Sequence, residues 1–197
     1  MLTQIINGHI LTPQGWLKDG SVLISDGKIL EVTNSDLAVI GAKVIDAKGM
    51  YIVPGFISMH AHGGGGHDFT EGTHEAFQQA VLAHLKHGAT SIFPTLSSTS
   101  FENIKKAVHT CEELIKTPQS TIQGLHIEGP YLNKKMAGPQ WEEFLKDPDP
   151  NEYIPLLEST QCIKRWDISP ELPGAHDFAR YTHARGILTA ITHTEAE

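Results

Sequence analysis

Apolar and polar positions along the chain change their grammar near residue 50. Before it, short β-rich runs are broken by turn residues: residues 4–11, then Pro13-Gln14-Gly15, then residues 21–25, Asp26-Gly27 and residues 28–32. Asp-Gly between two β-rich runs is a strong hairpin signal, because both residues tolerate the positive φ of a tight turn. Val44-Ile45 adds a strand and residues 46–49 a further turn. Residues 1–49 are therefore expected to form the N-terminal part of a small β unit.

From Met50 onward, short apolar strands alternate with amphipathic helices. Strands are expected at residues 51–60, 91–96, 121–127, 163–168 and 187–192. Helices are expected at 75–87, 100–116, 151–158 and 177–185, where apolar residues recur at helical spacing. Ser100 is placed to cap the second helix, and Gly88 and Gly186 to end the first and fourth. Repeated β-then-α units imply a parallel sheet with right-handed crossovers. The fold class that follows is α/β: a partial (β/α)8 TIM barrel of about five strands, over residues 50–197, after the small β domain.

Composition narrows the setting without changing the fold. The chain has 197 residues, 40% of them apolar, so it can bury a core. Fifteen basic against 23 acidic residues give a formal charge of −8, which disfavours nucleic acid and anionic membrane surfaces as partners. Two cysteines are too few for a disulfide framework, and the N-terminus lacks the regions of a signal peptide. No apolar run reaches the roughly 20 residues of a membrane helix. A cytoplasmic protein is expected.

Candidate chemistry sits at the strand ends, where a barrel of this kind builds its active site. His60 and His62 close the first strand of the α/β region and, two residues apart, project to one face. Two imidazoles suit zinc, with iron also compatible. Alone, His-x-His fits a solvated or core pair as well; Pro54-Gly55 before it and the glycine run 63–66 after it favour the metal reading. Glu128 follows an apolar strand and precedes Gly129-Pro130, a dipeptide that breaks the strand and holds the carboxylate at its tip. His193 is the first polar ring after the fifth strand. His126 faces the same side as Glu128 and reads as a substrate contact, a neighbour of the ligands or a core histidine, with a non-ligand role favoured. His74, His84, His87, His109, His176 and His183 fall on helices and are given solvent-facing or helix-end roles. A bound divalent ion would lower the pKa of its water and polarise a carbonyl, but hydrolysis also needs a carboxylate to carry the proton. Asp167 lies short of its strand tip, and neither Asp68 nor Glu171 has positional support.

The order of motifs resembles the amidohydrolase superfamily and, within it, the N-acetylglucosamine-6-phosphate deacetylase branch. The matching stretches are residues 46–63, residues 93–100, Gly124-Leu125-His126-Ile127-Glu128-Gly129-Pro130 through Asn133, residues 137–140, Ser169-Pro170-Glu171 and residues 192–196. The resemblance implies that Glu128 and His193 bind the main catalytic metal, with His60 and His62 forming a second site in members that keep both. One or two ions, zinc foremost, are implied. Pro139 and Gln140 would lie where the family contacts the sugar. The implied reaction deacetylates N-acetylglucosamine 6-phosphate to glucosamine 6-phosphate and acetate, in a homodimer. The N-terminal unit would be part of a small β-sandwich. Ser58 stands where many members have Asp, and Thr194 where Ser is commoner. A third metal histidine, the phosphate-binding residues and the catalytic aspartate would all lie beyond Glu197, so the chain is expected to be a truncated fragment. Two alternatives are an amidohydrolase acting on a cyclic amide and a catalytically inactive binding or assembly module with the same fold. The former commonly relies on a carbamylated lysine, and no lysine ends a strand so placed.

Overall fold

A computed structural model describes residues 1–35 and 39–197. It divides into two compact units, Met1–Gly55 and Phe56–Glu197.

The first unit is a five-stranded sheet. β1 (Leu2–Thr12) and β2 (Gly15–Ser25) form an antiparallel hairpin, and β3 (Lys28–Thr33) continues it. Asp26 and Gly27 both have positive φ (50° and 78°), as the turn between β2 and β3 demands. β4 (Lys43–Asp46) and β5 (Tyr51–Ile52) both pair parallel with β1.

The expected strand over residues 51–60 is two strands. Tyr51–Ile52 belongs to the first unit, while β6 (Phe56–Ala61) opens the second unit's sheet. Pro54-Gly55 is the physical break, since proline brings no N–H to a ladder.

The second unit is a parallel sheet in the order β12-β11-β10-β9-β6, with β9 at Ala89–Leu96, β10 at Leu125–Ile127, β11 at Ile163–Ile168 and β12 at Leu188–Ile191. A short ribbon of β7 (Gly63–Gly64) and β8 (His67–Asp68) follows β6. The helices are α1 (His74–Lys86), α2 (Phe101–Ile115), α3 (Pro150–Ser159) and α4 (Ala175–His183). Ser100 caps α2 by accepting from the Asn103 amide, as its position forecast. β10 is shorter than the expected 121–127. At Ile122 only a single bridge to Ile92 remains, and a Cβ at Gly124 would meet the Cys162 carbonyl oxygen at 3.0 Å.

One hydrophobic core, containing Phe69, Phe77, Leu96, Ile104, Leu125, Ile127, Trp166 and Phe178, joins this sheet to its helices. Near the strand ends it becomes aromatic. Tyr131 stacks on Trp166 at 5.5 Å between centroids with planes 9° apart, and Phe178 meets both edge-on. Such pairs add about 0.5–1.5 kcal/mol beyond the area they bury. Trp166 is fully buried, and its indole N–H donates to the Gly129 carbonyl at 2.9 Å. The core therefore reaches directly to the turn that follows Glu128.

No helix among the described residues is long and apolar enough to cross a membrane.

Candidate metal centre

Glu128 stands at the C-terminal end of the central strand β10, and its environment fixes it from several sides. Its N–H bonds the Leu96 carbonyl at 2.9 Å, which continues the ladder with β9 one residue past the strand. Gly129 has φ +106°, and a Cβ there would lie 2.0 Å from the Ser98 hydroxyl. Only glycine fits that turn. Gln140 donates from Nε2 to Glu128 Oε2 at 2.9 Å, while its Oε1 accepts from the Ser98 N–H at 2.7 Å. Gln140 thus braces the carboxylate, a contact its sequence position did not disclose; Pro139 beside it is exposed.

Three imidazoles converge on this carboxylate. His62 Nε2 is 3.0 Å and His60 Nε2 3.7 Å from Glu128 Oε2, and His193 Nε2 is 3.3 Å from Oε1. The two Nε2 atoms of His60 and His62 are 3.0 Å apart. The ladder between β6 and β9 shifts register between Ser58 and Ala61, where the Thr95 hydroxyl accepts the Ala61 N–H at 3.0 Å. That bond holds the chain between the two histidines. The far nitrogens are also engaged: His62 Nδ1 lies 3.0 Å from the Ser97 hydroxyl and His193 Nδ1 2.9 Å from the Met136 carbonyl. A backbone carbonyl can only accept, so His193 donates from Nδ1, and its Nε2 faces Glu128.

Charge follows geometry. Burial pushes the Glu128 carboxyl up, but the hydrogen bond from His62 and the nearby imidazoles of His60, His62 and His193 outweigh it and hold the pKa at about 2. The bond to Glu128 raises His62, against its burial. Burial lowers His60, with Glu128 pulling the other way.

His126 is fully buried beneath this group, its ring 4.9 Å from that of His60 and edge-on to it. Its Nδ1 is 3.0 Å from the Thr95 hydroxyl. Its Nε2 lies 2.9 Å from Asp167 Oδ1, close enough for an ion pair but off the angle of a hydrogen bond. Asp167 is itself fully buried and bridged twice by Arg165, at 2.8 and 3.2 Å. Among the helix histidines, His84 anchors the glycine run after His62, with Nε2 2.9 Å from the Gly63 carbonyl. His67 lies 3.4 Å from Glu71, and Asp68 caps the short 3-10 helix at Phe69–Glu71.

The donor set fits a divalent cation. His60, His62 and Glu128 place two imidazole nitrogens and a carboxylate oxygen within 4.8 Å of one another, and His193 faces the second oxygen. Ligating histidines usually donate their other N–H to a carbonyl or carboxylate, and His193 does so.

Residues 51–190 match the model of the amidohydrolase family. N-acetylglucosamine-6-phosphate deacetylase of Haemophilus influenzae is 32% identical over 195 residues, covering 98% of this chain and 50% of that protein. The crystal structure of the Pasteurella multocida N-acetylglucosamine-6-phosphate deacetylase superposes with a TM-score of 0.93 at 25% identity, over 100% of this chain and 52% of that one. The Mycobacterium smegmatis enzyme, an aspartate-to-alanine variant in complex with N-acetyl-D-glucosamine-6-phosphate, superposes at 0.87 with 26% identity, over 99% and 50%. The chain spans about half the length of the curated relatives it matches.

Proposed function

Because the chain belongs to the amidohydrolase family, we propose that it carries the metal-binding part of an N-acetylglucosamine-6-phosphate deacetylase, which hydrolyses the acetamide of its substrate to glucosamine 6-phosphate and acetate. The observation that carries this reading is the convergence of His60, His62 and His193 on Glu128 at the C-terminal ends of parallel strands. Zinc is the ion these ligands suit best, with iron as the alternative. When bound, such an ion lowers the pKa of its water and polarises the amide carbonyl.

The chain's own residues supply the cradle. By the resemblance, Glu128 and His193 would hold the principal ion and His60 and His62 a second, and all four side chains meet in one space. Gln140 keeps the Glu128 carboxylate oriented by donating from Nε2, and its own amide is fixed by the Ser98 N–H, which donates to Oε1. Pro139 and Gln140 are assigned to the sugar side by resemblance.

A proton must still pass from water to the departing amine. Asp167 does not suit that task, being fully buried and doubly bridged by Arg165. The resemblance assigns the task to an aspartate beyond Glu197, and the relative crystallised with the substrate carries an aspartate-to-alanine change. The cytoplasmic setting rests on the cysteine count and the N-terminal sequence, and a homodimeric parent on the resemblance alone.

The test combines intact mass, metal content and acetate release from N-acetylglucosamine 6-phosphate. A chain of verified mass should bind zinc and turn over little or no substrate. Robust turnover would overturn the assignment of the proton carrier to residues outside this sequence, and absence of metal uptake would overturn the metal reading.

A further inference from the structure

The motif Ser169-Pro170-Glu171 stands at the end of β11, and the proposed chemistry leaves it without a task. Ser169 is fully buried. Its hydroxyl hydrogen is shared between the His193 carbonyl at 2.7 Å and the Thr192 carbonyl at 3.1 Å, and its oxygen accepts the Asn133 N–H at 2.8 Å. Glu171 grips the other side of the same loop. Oε1 accepts from the Glu195 N–H at 2.9 Å and from Asn133 Nδ2 at 2.7 Å, and Oε2 accepts from the Thr194 hydroxyl. Two residues of one motif thus hold the loop at 192–195 from both flanks of His193.

The loop needs holding. His193 has φ +47°, a left-handed backbone that costs free energy in a residue with a Cβ and persists only where its surroundings impose it. Relaxed to an extended conformation, the chain would swing the ring away from Glu128.

We propose that Glu171 is a positioning residue for His193: its carboxylate, by gathering Thr194, Glu195 and Asn133, keeps the His193 backbone left-handed and its Nε2 aimed at Glu128. The proposal rests on the metal reading of Glu128 and His193 for its consequence, though not for its geometry. It also gives Thr194 a reason to be a hydroxyl residue, because serine would serve equally and valine would not.

The test uses Glu171→Ala, Thr194→Val and Thr194→Ser in the 197-residue chain. Zinc affinity is read by competition with a chromogenic chelator, and site geometry by the visible spectrum of the cobalt-substituted protein. E171A and T194V should bind zinc about 10-fold or more weakly, the range that loss of a ligand-orienting partner brings, with an altered cobalt spectrum. T194S should match the native chain in both. In the metal-free chain, nuclear Overhauser contacts from the His193 ring to Gly138 should weaken in E171A and T194V alone. Should E171A fail to fold, the contrast of T194V with T194S decides. Unchanged affinity, spectrum and ring contacts in E171A and T194V would overturn the proposal. A native chain that binds no metal but loses the ring contacts in these variants would sink the metal reading and leave the positioning role standing.

Discussion

Within the second unit, the centre of the sheet and its edges are built differently. All three residues of β10 are buried, as are four of the six in β11, at Ile163 and Trp166 through Ile168. The edge strands are open: Phe56, Ile57 and Met59 on β6 are 63%, 66% and 56% exposed, and Leu188 and Ile191 on β12 are 57% and 68% exposed. The candidate site draws on both. Glu128 comes from the packed centre, whereas His60 and His62 come from one edge and His193 follows the other. The carboxylate inherits its position from the core, and each histidine depends on a local brace: Thr95 at Ala61, Ser97 at His62, and Ser169 with Glu171 around His193.

The comparison is broken most severely at its shared point. Glu128→Gln keeps the shape and removes the charge, so zinc uptake should fall by more than the roughly 10–100-fold that loss of an orienting partner brings. Equilibrium dialysis checks it. Retained stoichiometric uptake with near-native affinity would mean that the histidines alone make the site.

Next in size is the core beneath the carboxylate. Trp166→Ala should cost about 3–5 kcal/mol in a urea melt, the range for deleting a large buried aromatic. It also removes the hydrogen bond to the Gly129 carbonyl, so zinc affinity should fall with stability. A large stability loss with unchanged metal affinity would show that the centre does not set the carboxylate's position.

Smaller again is the response to acid. In the metal-free chain Glu128 has its pKa depressed from 4.5 to about 2. Its stabilisation is complete above 4.5 and is lost as the pH falls towards 2, at most about 3 kcal/mol. The histidines act in the neutral range with opposite signs. The raised pKa of His62 gives stability that is full below 6.5 and lost as pH rises through its elevated value, while the lowered His60 loses stability as pH falls through 6.5. Thermal midpoints of the chelator-treated chain should therefore change more below pH 4.5 than between 6 and 8, and E128Q should flatten the acid limb. An equally steep acid limb in E128Q would assign it to other carboxylates.

How much of this was legible beforehand follows the same division. Elements with a complete local signature could be read closely: α2 from its apolar stripe and Ser100, the β2–β3 turn from Asp26-Gly27. The reading of 51–60 fails at Pro54-Gly55, which divides it, and β10 begins only after Gly124. His60, His62 and Glu128 were legible because period two and a strand-breaking dipeptide are local facts. Their braces were not. Ser97 lies 35 residues from His62, Glu171 24 from Glu195, and Gln140 reaches Glu128 only because the loop between them folds back. Contacts of that kind depend on tertiary placement, which no spacing rule encodes.

The smallest effect is expected at the edge. Ile191, 68% exposed on β12, pairs with Ile168 on β11 through its backbone. Ile191→Thr keeps a β-branched residue and so preserves strand preference while removing exposed apolar surface. In the 197-residue chain its stability should change by no more than about 0.5 kcal/mol, as for surface positions generally. Ile127→Ala at the centre, 1% exposed, should cost about 2–5 kcal/mol. The contrast is measured in dilute solution and again at higher protein concentration, because an open parallel edge with apolar residues is a surface that a second strand could cover. A loss above 2 kcal/mol for I191T that grows with concentration would mean that β12 is not a free edge in solution. The division between a packed centre and open edges would then describe the single chain and not the species that binds metal.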